Sequence, residues 1–305
     1  MNSRDTYRER PLLASWGELL WDVYSEGPRL GGAPANLAFH AARLGAEAHL
    51  ISRVGDDELG DRALADLKLR GIFAHTGERS RQATGIVQVE LTLGQPRYTI
   101  AMPAAYDEIE TDEAATRIFS SADYFCFGTL ALRHPSSTSS LEGLLKSRVA
   151  SKRPTLVVDL NLREPHSSKA SSIFCLEQAR ILKLNEDELL MLERWLDVTD
   201  VKSSLLERFK IELLLVTRGA LGASLFTSEA SVHQAATPSL AQDPVGAGDA
   251  FLAAFLLNLH ANEAPQVSLE RATRYAARVA DEAGAMPELP WSFRSSCSPY
   301  ALAAE

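Results

Sequence analysis

Residues 243–256 read DPVGAGDAFLAAFL, a Gly-x-Gly turn with a carboxylate directly behind it and an apolar run behind that. Phe251, Leu252, Phe255, Leu256 and Leu259 recur at helical spacing, so a helix is expected to start near Asp249. The turn then lies at a helix N-terminus, where unpaired N–H groups and the positive end of the macrodipole collect. Glycines at 246 and 248 remove side-chain bulk from those donors, so an anion can approach the backbone. Several uses of such a turn compete. A dinucleotide fingerprint wants a third glycine where Phe251 stands, and it opens a fold, whereas this turn comes late. A Walker loop wants Gly-Lys-Ser/Thr, which occurs nowhere in the chain. Two readings survive: Asp249 only caps the helix, or it takes a proton from a hydroxyl while the turn stabilises a transferring phosphoryl group.

The remainder of the chain narrows the setting. Its 305 residues are 46% hydrophobic and 23% charged, the profile of a soluble globular protein with a sizeable core. A net charge of −9 and the absence of a Lys/Arg block argue against a nucleic-acid or membrane partner, so any positive charge for an anionic ligand must be local. Cys126, Cys175 and Cys297 are scattered, with neither disulfide nor zinc spacing, and a cytoplasmic location is expected. The charged N-terminus lacks a signal-peptide core. AFLAAFLLNL at 250–259 is far short of the ~20 residues of a membrane helix.

Apolar, β-branched runs at 48–54, 123–130, 155–161, 179–185 and 213–219 alternate with helix-period segments. That rhythm predicts an α/β fold with a mostly parallel central sheet and helices on both faces. It breaks at TGIVQVELTL (84–93) and PRYTIAM (96–102), two strand-like runs around a Gly-Gln turn that predict a β-hairpin. Residues 12–31 leave the core sheet at LLASWG and can add further strands to that hairpin before a helix begins at 33. One α/β domain over 1–305 is expected, with a small β-sheet lid from strands within 18–32 and 84–102. GGAPANLAFHAARLG at 31–45 is a second glycine turn: Pro34 suits a first helical turn, Leu37, Ala41 and Leu44 make an apolar face, and Gly45 ends the helix. Asn36 is the odd polar residue of that first turn, pointing back toward the mouth of the sheet.

With both turns in hand, the chain resembles the PfkB, or ribokinase-like, carbohydrate kinases. The resemblance rests on GGAPANLAFHAARLGAEAHLISRVGDDELGD (31–61) and DPVGAGDAFLAAFL (243–256), and between them on GELLWD (17–22), FGTL (127–130), DLNLR (159–163), LNEDE (184–188) and TRGALG (217–222). It implies a ribokinase-like three-layer sandwich. Asp249 would be the catalytic base, with Gly246, Ala247 and Gly248 as the anion hole. Asp22, Gly32 and Asn36 would hold sugar hydroxyls, and Arg163 would supply local positive charge to the substrate. On the nucleotide side the resemblance implies Asn185, Lys183, Thr217, Gly219, Gly222 and Asp243, with Glu188 organising a hydrated Mg²⁺. ATP and Mg²⁺ are the implied cofactors, K⁺ is an open addition, and a homodimer through the lid is the implied assembly. The lid would exclude water from the activated hydroxyl.

GGAPAN, GELLWD and PAAYDEI (103–109) look most like the fructokinase branch, in which ATP phosphorylates the 6-hydroxyl of fructose. A 2-keto-3-deoxygluconate-type sugar acid kinase is the rival; it would need a cation for the substrate carboxylate, with Arg97 and Arg163 as candidates. A non-catalytic nucleotide-binding relative is the third reading, opposed by the intact GAGD. The chain departs from the family pattern at Pro244, where Thr is usual, and at Thr273, where some relatives place Asn near the base.

Overall fold

The computed structural model describes residues 10–92, 95–147 and 154–301. The tip of the predicted hairpin at 93–94 and the side chains of 89–98, Arg97 among them, lie outside the described residues. A nine-stranded sheet forms the centre. In chain order its strands are β1 (Leu12–Trp16), β4 (Glu47–Ile51), β5 (Phe73–His75), β8 (Tyr124–Phe127), β9 (Thr155–Asp159), β10 (Ile181–Asn185), β11 (Leu213–Thr217), β12 (Ala223–Phe226) and β13 (Ser231–Gln234). In space they run β13-β12-β11-β10-β9-β8-β1-β4-β5. From β5 to β11 every pairing is parallel, and only the β11–β12 and β12–β13 pairings are antiparallel. A separate four-stranded sheet holds β2 (Leu20–Tyr24), β3 (Gly27–Gly31), β6 (Gly85–Thr92) and β7 (Gln95–Ile100), in the order β3-β2-β6-β7. Its strands fall inside the two ranges predicted from sequence.

Because side chains alternate across a strand, the central sheet feeds two separate cores. Leu13, Val157, Ile181 and Leu215 face one, with α1 (Ala33–Arg43), α2 (Glu58–Leu69), α8 (Ala247–His260) and α9 (Pro265–Ala280). Ala14, Val158, Leu182 and Val216 face the other, with α3 (Glu113–Ser121), α4 (Pro135–Lys146), α5 (Lys169–Gln178), α6 (Glu186–Leu196) and α7 (Val201–Arg208). A last helix, α10 (Trp291–Cys297), packs on α9. The result is the expected three-layer sandwich. The same two-residue period puts Lys183 on the face of Ile181 and Asp159 on that of Val157, beneath α8.

Helix α8 is apolar nearly all round because it lies between the sheet, α1 and α9. Phe251, Leu252, Phe255, Leu256 and Leu257 are all essentially sealed from solvent, and burying side chains of that size stabilises by roughly 1.5–3 kcal/mol each. Gly45 ends α1 as predicted: its φ is +104°, and a Cβ there would collide with the Tyr300 carbonyl.

Four of the five predicted central strands run two or three residues too long at their C-terminal ends, while the run at 179–185 ends with β10 and starts two residues early. Leu160, for example, is fully buried although β9 stops at Asp159. Apolar composition persists where the backbone leaves the ladder to form the loops above the sheet. Strands β5, β12 and β13 were not expected; they are short, and their sequences FAH, ASLF and SVHQ carry no sustained alternation. Among the described residues no helix is long and apolar enough to cross a membrane.

Candidate active site

The parallel strands β1, β8, β9, β10 and β11 end at one edge of the sheet, where ligands of open α/β folds gather. The segments leaving that edge carry Glu18, Thr129, Asn161, Arg163, Glu188 and Gly219. The N-terminus of α8 points at the same place. Its N-cap is Gly246 in the left-handed region (φ +79°), with no side-chain capping bond. Capping is therefore not the role of Asp249, which is the third residue of the helix. The Ala247 amide donates to Pro244 O at 3.2 Å, while the amides of Gly246, Gly248 and Asp249 find no protein acceptor among the described residues. Gly246 is required twice over: its φ suits glycine, and a Cβ would sit 2.6 Å from the Ala285 carbonyl. His40 holds that loop from below, with Nε2 2.9 Å from Ala285 O and Nδ1 3.2 Å from the Tyr275 hydroxyl. Burial pushes the His40 pKa down to about 3, so the ring is neutral, Nε2 donates to the carbonyl and Nδ1 accepts from the phenol.

Asp249 is approached from three elements. Asn36, in the first turn of α1, donates through Nδ2 to its Oδ2 at 2.8 Å. Lys183 of β10 passes beneath the turn, its ammonium 2.9 Å from where a Cβ on Gly248 would stand, and pairs with Asp159 Oδ2 of β9 at 2.8 Å. Burial raises the Asp249 pKa to about 7, and the Asp159 carboxylate adds to this. Lys183, the Asn36 hydrogen bond and Arg163 oppose it. A carboxylate poised near neutrality, beside unsatisfied amides, is the chemistry of a general base next to an anion hole. Lys183 keeps its charge despite burial, because Asp159, Glu188 and Asp249 hold its pKa above the ordinary value.

The family of carbohydrate kinases described as pfkB matches residues 17–292. The chain belongs to that family. It is 31% identical over 284 residues to a fructokinase of Salmonella typhimurium, spanning 88% of this chain and 92% of that one. With a sugar kinase of Pyrococcus horikoshii the identity is 32% over 271 residues, 81% of this chain and 82% of the relative. Among solved structures, a fructokinase from Xylella fastidiosa with bound ATP superposes with a TM-score of 0.84 at 22% identity, covering 94% and 97% of the two chains. This pfkB protein is thus a phosphotransferase acting on a sugar, built on the ribokinase-like fold.

The other residues singled out in this pfkB kinase fall into two groups around Asp249. Asp22 stands on β2 of the small sheet, and its carboxylate lies across Gly31, where a Cβ would be 2.4 Å from Oδ2. Burial lifts its pKa to about 6, with Arg163 opposing and Asp243 reinforcing. Gly32, φ +105°, lets α1 start against the Glu18 carbonyl, 2.4 Å from its absent Cβ. Asn36 is buried, and its Oδ1 has no hydrogen-bond partner among the described residues.

On the other side, Asn185 and Glu188 form a reciprocal capping box at the start of α6. Asn185 Oδ1 accepts from the Glu188 amide and Glu188 Oε2 from the Asn185 amide, both at 2.8 Å, and Glu188 Oε1 accepts from Leu162 N. Glu188 is buried, while its neighbours Glu186 and Asp187 are exposed. Register places Asn185 beside Thr217 on β11, whose hydroxyl donates to Leu184 O. Gly219 and Gly222 shape the turn beyond, Gly222 pressed against the Gln234 carbonyl. Asp243 braces the glycine turn by accepting from Val245 N and Gly284 N, and it pairs with Arg29 of β3 at 3.8 Å. No cluster of three or more His, Cys, Asp or Glu among the described residues could hold a metal.

Two carboxylates of the site escaped the sequence reading: Glu18 and Asp159, both lining the same cavity as Asp249. A charge abutting an apolar strand run, as in SWGE and VVD, was the available signal.

Proposed function

We propose that this kinase transfers the γ-phosphoryl group of ATP to a primary hydroxyl of a hexose, with fructose as substrate and fructose 6-phosphate as product. The observation that carries the reading is Asp249, a buried carboxylate held by Asn36 at the N-terminus of α8, beside amides that have no protein acceptor among the described residues. The fructokinase names of the relatives, and ATP in the Xylella fastidiosa structure, support it. Asp22 and the unpartnered Asn36 Oδ1 orient the sugar by accepting from its hydroxyls. Asp249 takes the proton of the attacking hydroxyl, and the Gly246 and Gly248 amides receive the charge on the transferring group. Mg²⁺, arriving with the nucleotide, would neutralise phosphate oxygens, and Glu188 with Asn185 would hold it through water, since Mg²⁺ keeps several waters and takes only one or two carboxylates. The small sheet acts as the lid that keeps water from the activated hydroxyl.

Because the base must be ionised, kcat/KM is expected to fall below about pH 7 as Asp249 takes up its proton. The pH–rate profile checks this; an acid limb centred near pH 4 would contradict a buried, raised carboxylate.

A second reading is favoured by one observation: Arg163 is exposed, faces Glu18, Asp22 and Asp249 electrostatically, and has no ion-pair partner among the described residues. That cation suits the carboxylate of a 2-keto-3-deoxy sugar acid. Screening sugars and sugar acids with Mg·ATP while following ADP decides between them. Turnover confined to keto-deoxy acids removes fructose and keeps the kinase; turnover of neither removes both.

A further inference from the structure

Helix α1 begins without an adequate cap of its own. Its N-cap is Gly32, which has no side chain to offer, and Pro34 occupies the first turn. The Ala33 amide is instead taken by Glu18 Oε1, 15 residues upstream, at 3.3 Å. Glu18 is 4% exposed, and its carboxylate sits at the positive end of the α1 dipole. Three residues beyond Ala33, Asn36 donates the bond that holds Asp249 Oδ2. A continuous chain of contacts therefore runs from Glu18 through the first turn of α1 to the carboxylate of the base. Glu18 and Asp249 also line one cavity, with Ala33, Pro34, Asp159 and Asn161.

We propose that Glu18 is a positioning residue for phosphoryl transfer: it caps α1 from outside the helix and, through Asn36, fixes where the Asp249 carboxylate stands. The inference rests on Asp249 acting as the base. Glu18 also titrates in the working range, because burial raises its pKa to about 7 against the opposing pull of its own backbone N–H, Arg163, the Ala33 amide and Arg133. The groups facing Asp249 in turn are Asn36 from α1, Lys183 from β10, Asp159 from β9 and Arg163 from the loop after β9. Protonation of Glu18 weakens its hold on the helix start, so two ionisations, not one, govern the acid side of the reaction.

The test compares Glu18→Gln, which keeps an oxygen acceptor without charge, with Glu18→Ala, which removes the cap. Glu18→Ala is expected to lower kcat by roughly 10–100-fold through misplacement of the base, with a much smaller change in the sugar KM. The acid limb of log(kcat/KM) should steepen beyond a slope of about one in the wild type and return to a slope of about one in Glu18→Gln. Wild-type kcat in Glu18→Ala overturns the proposal, as does a loss confined to KM, which would make Glu18 a sugar ligand. A separate arm needs no turnover. The Asp249 carboxyl signal, identified by its absence in Asp249→Asn, is followed by NMR in protein carrying carboxyl-¹³C aspartate. Its shift and titration should change in both Glu18 variants, and unchanged behaviour overturns the proposal. If Glu18→Ala does not fold, Glu18→Gln carries both arms. Absence of sugar turnover in the wild type would sink the proposed function alone, since the NMR arm still reads Glu18.

Discussion

Asp249→Asn is expected to reduce kcat by roughly 10²–10⁴-fold, the usual contribution of a positioned general base, while ATP binding changes little. Asparagine keeps the shape and one oxygen, so the Asn36 contact, 2.8 Å in the wild type, can persist. The proton acceptor alone is lost. The carboxylate is not a helix cap, so little secondary-structure penalty should accompany the change. Stability should even improve slightly near neutral pH. A buried carboxyl with a folded pKa of about 7, against an ordinary value of 3.8, contributes stability below about pH 4 that is lost as pH rises through 7. Asparagine abolishes that loss. Steady-state assay for kcat, calorimetry for ATP and melting curves at two pH values separate these effects, and near-wild-type kcat would remove Asp249 from the chemistry.

Lys183→Met is expected to produce the largest loss of stability, roughly 3–5 kcal/mol, the range for removing one partner of a buried ion pair. The pair is largely sealed, with 8% and 11% of the Lys183 and Asp159 side chains exposed. Among the described residues Asp159 Oδ1 already lacks a partner, so loss of the ammonium leaves a buried carboxylate with no compensating cation at hydrogen-bond range. Lys183 also restrains the Asp249 pKa. Its removal should move the acid limb of the pH–rate profile above pH 7, whereas Asp159→Asn, which removes a carboxylate that raises Asp249, should move it below. Denaturant unfolding and pH–rate profiles read the two consequences independently. Adding Asp159→Leu to Lys183→Met should recover part of the stability, because an apolar pair carries no unpaired charge. Unchanged stability in the single variant would mean that water reaches the pair.

Much of the site was legible because glycine and helix-start chemistry are local. GAGD could be read as a helix N-terminus with a carboxylate, since apolar periodicity begins immediately after it. GGAPAN could be read the same way, because Pro34 marks a first turn. What remained hidden depends on pairing between distant segments. Lys183 looked like local positive charge for the nucleotide, but its partner Asp159 is 24 residues away and meets it through the β9–β10 register. Glu18 looked like one more residue of GELLWD until α1 was folded back onto it. Asp243 likewise turned out to tie the glycine turn to Gly284 and to Arg29 of the small sheet.

The sequence by itself determined the alternating α/β layers, the two glycine-led helix starts and the hairpin of the small sheet, because each follows from periodicity and turn chemistry within a few residues. Only the tertiary structure decided that Asn36 and Asp249, 213 residues apart, share a hydrogen bond, and that Asp159, Glu188 and Asp249 gather around Lys183 at the start of α8. Parallel strands bring remote loops to one edge of the sheet, and burial together with the neighbouring charges there sets the charge of each group. Neither effect is present in any short stretch of the chain.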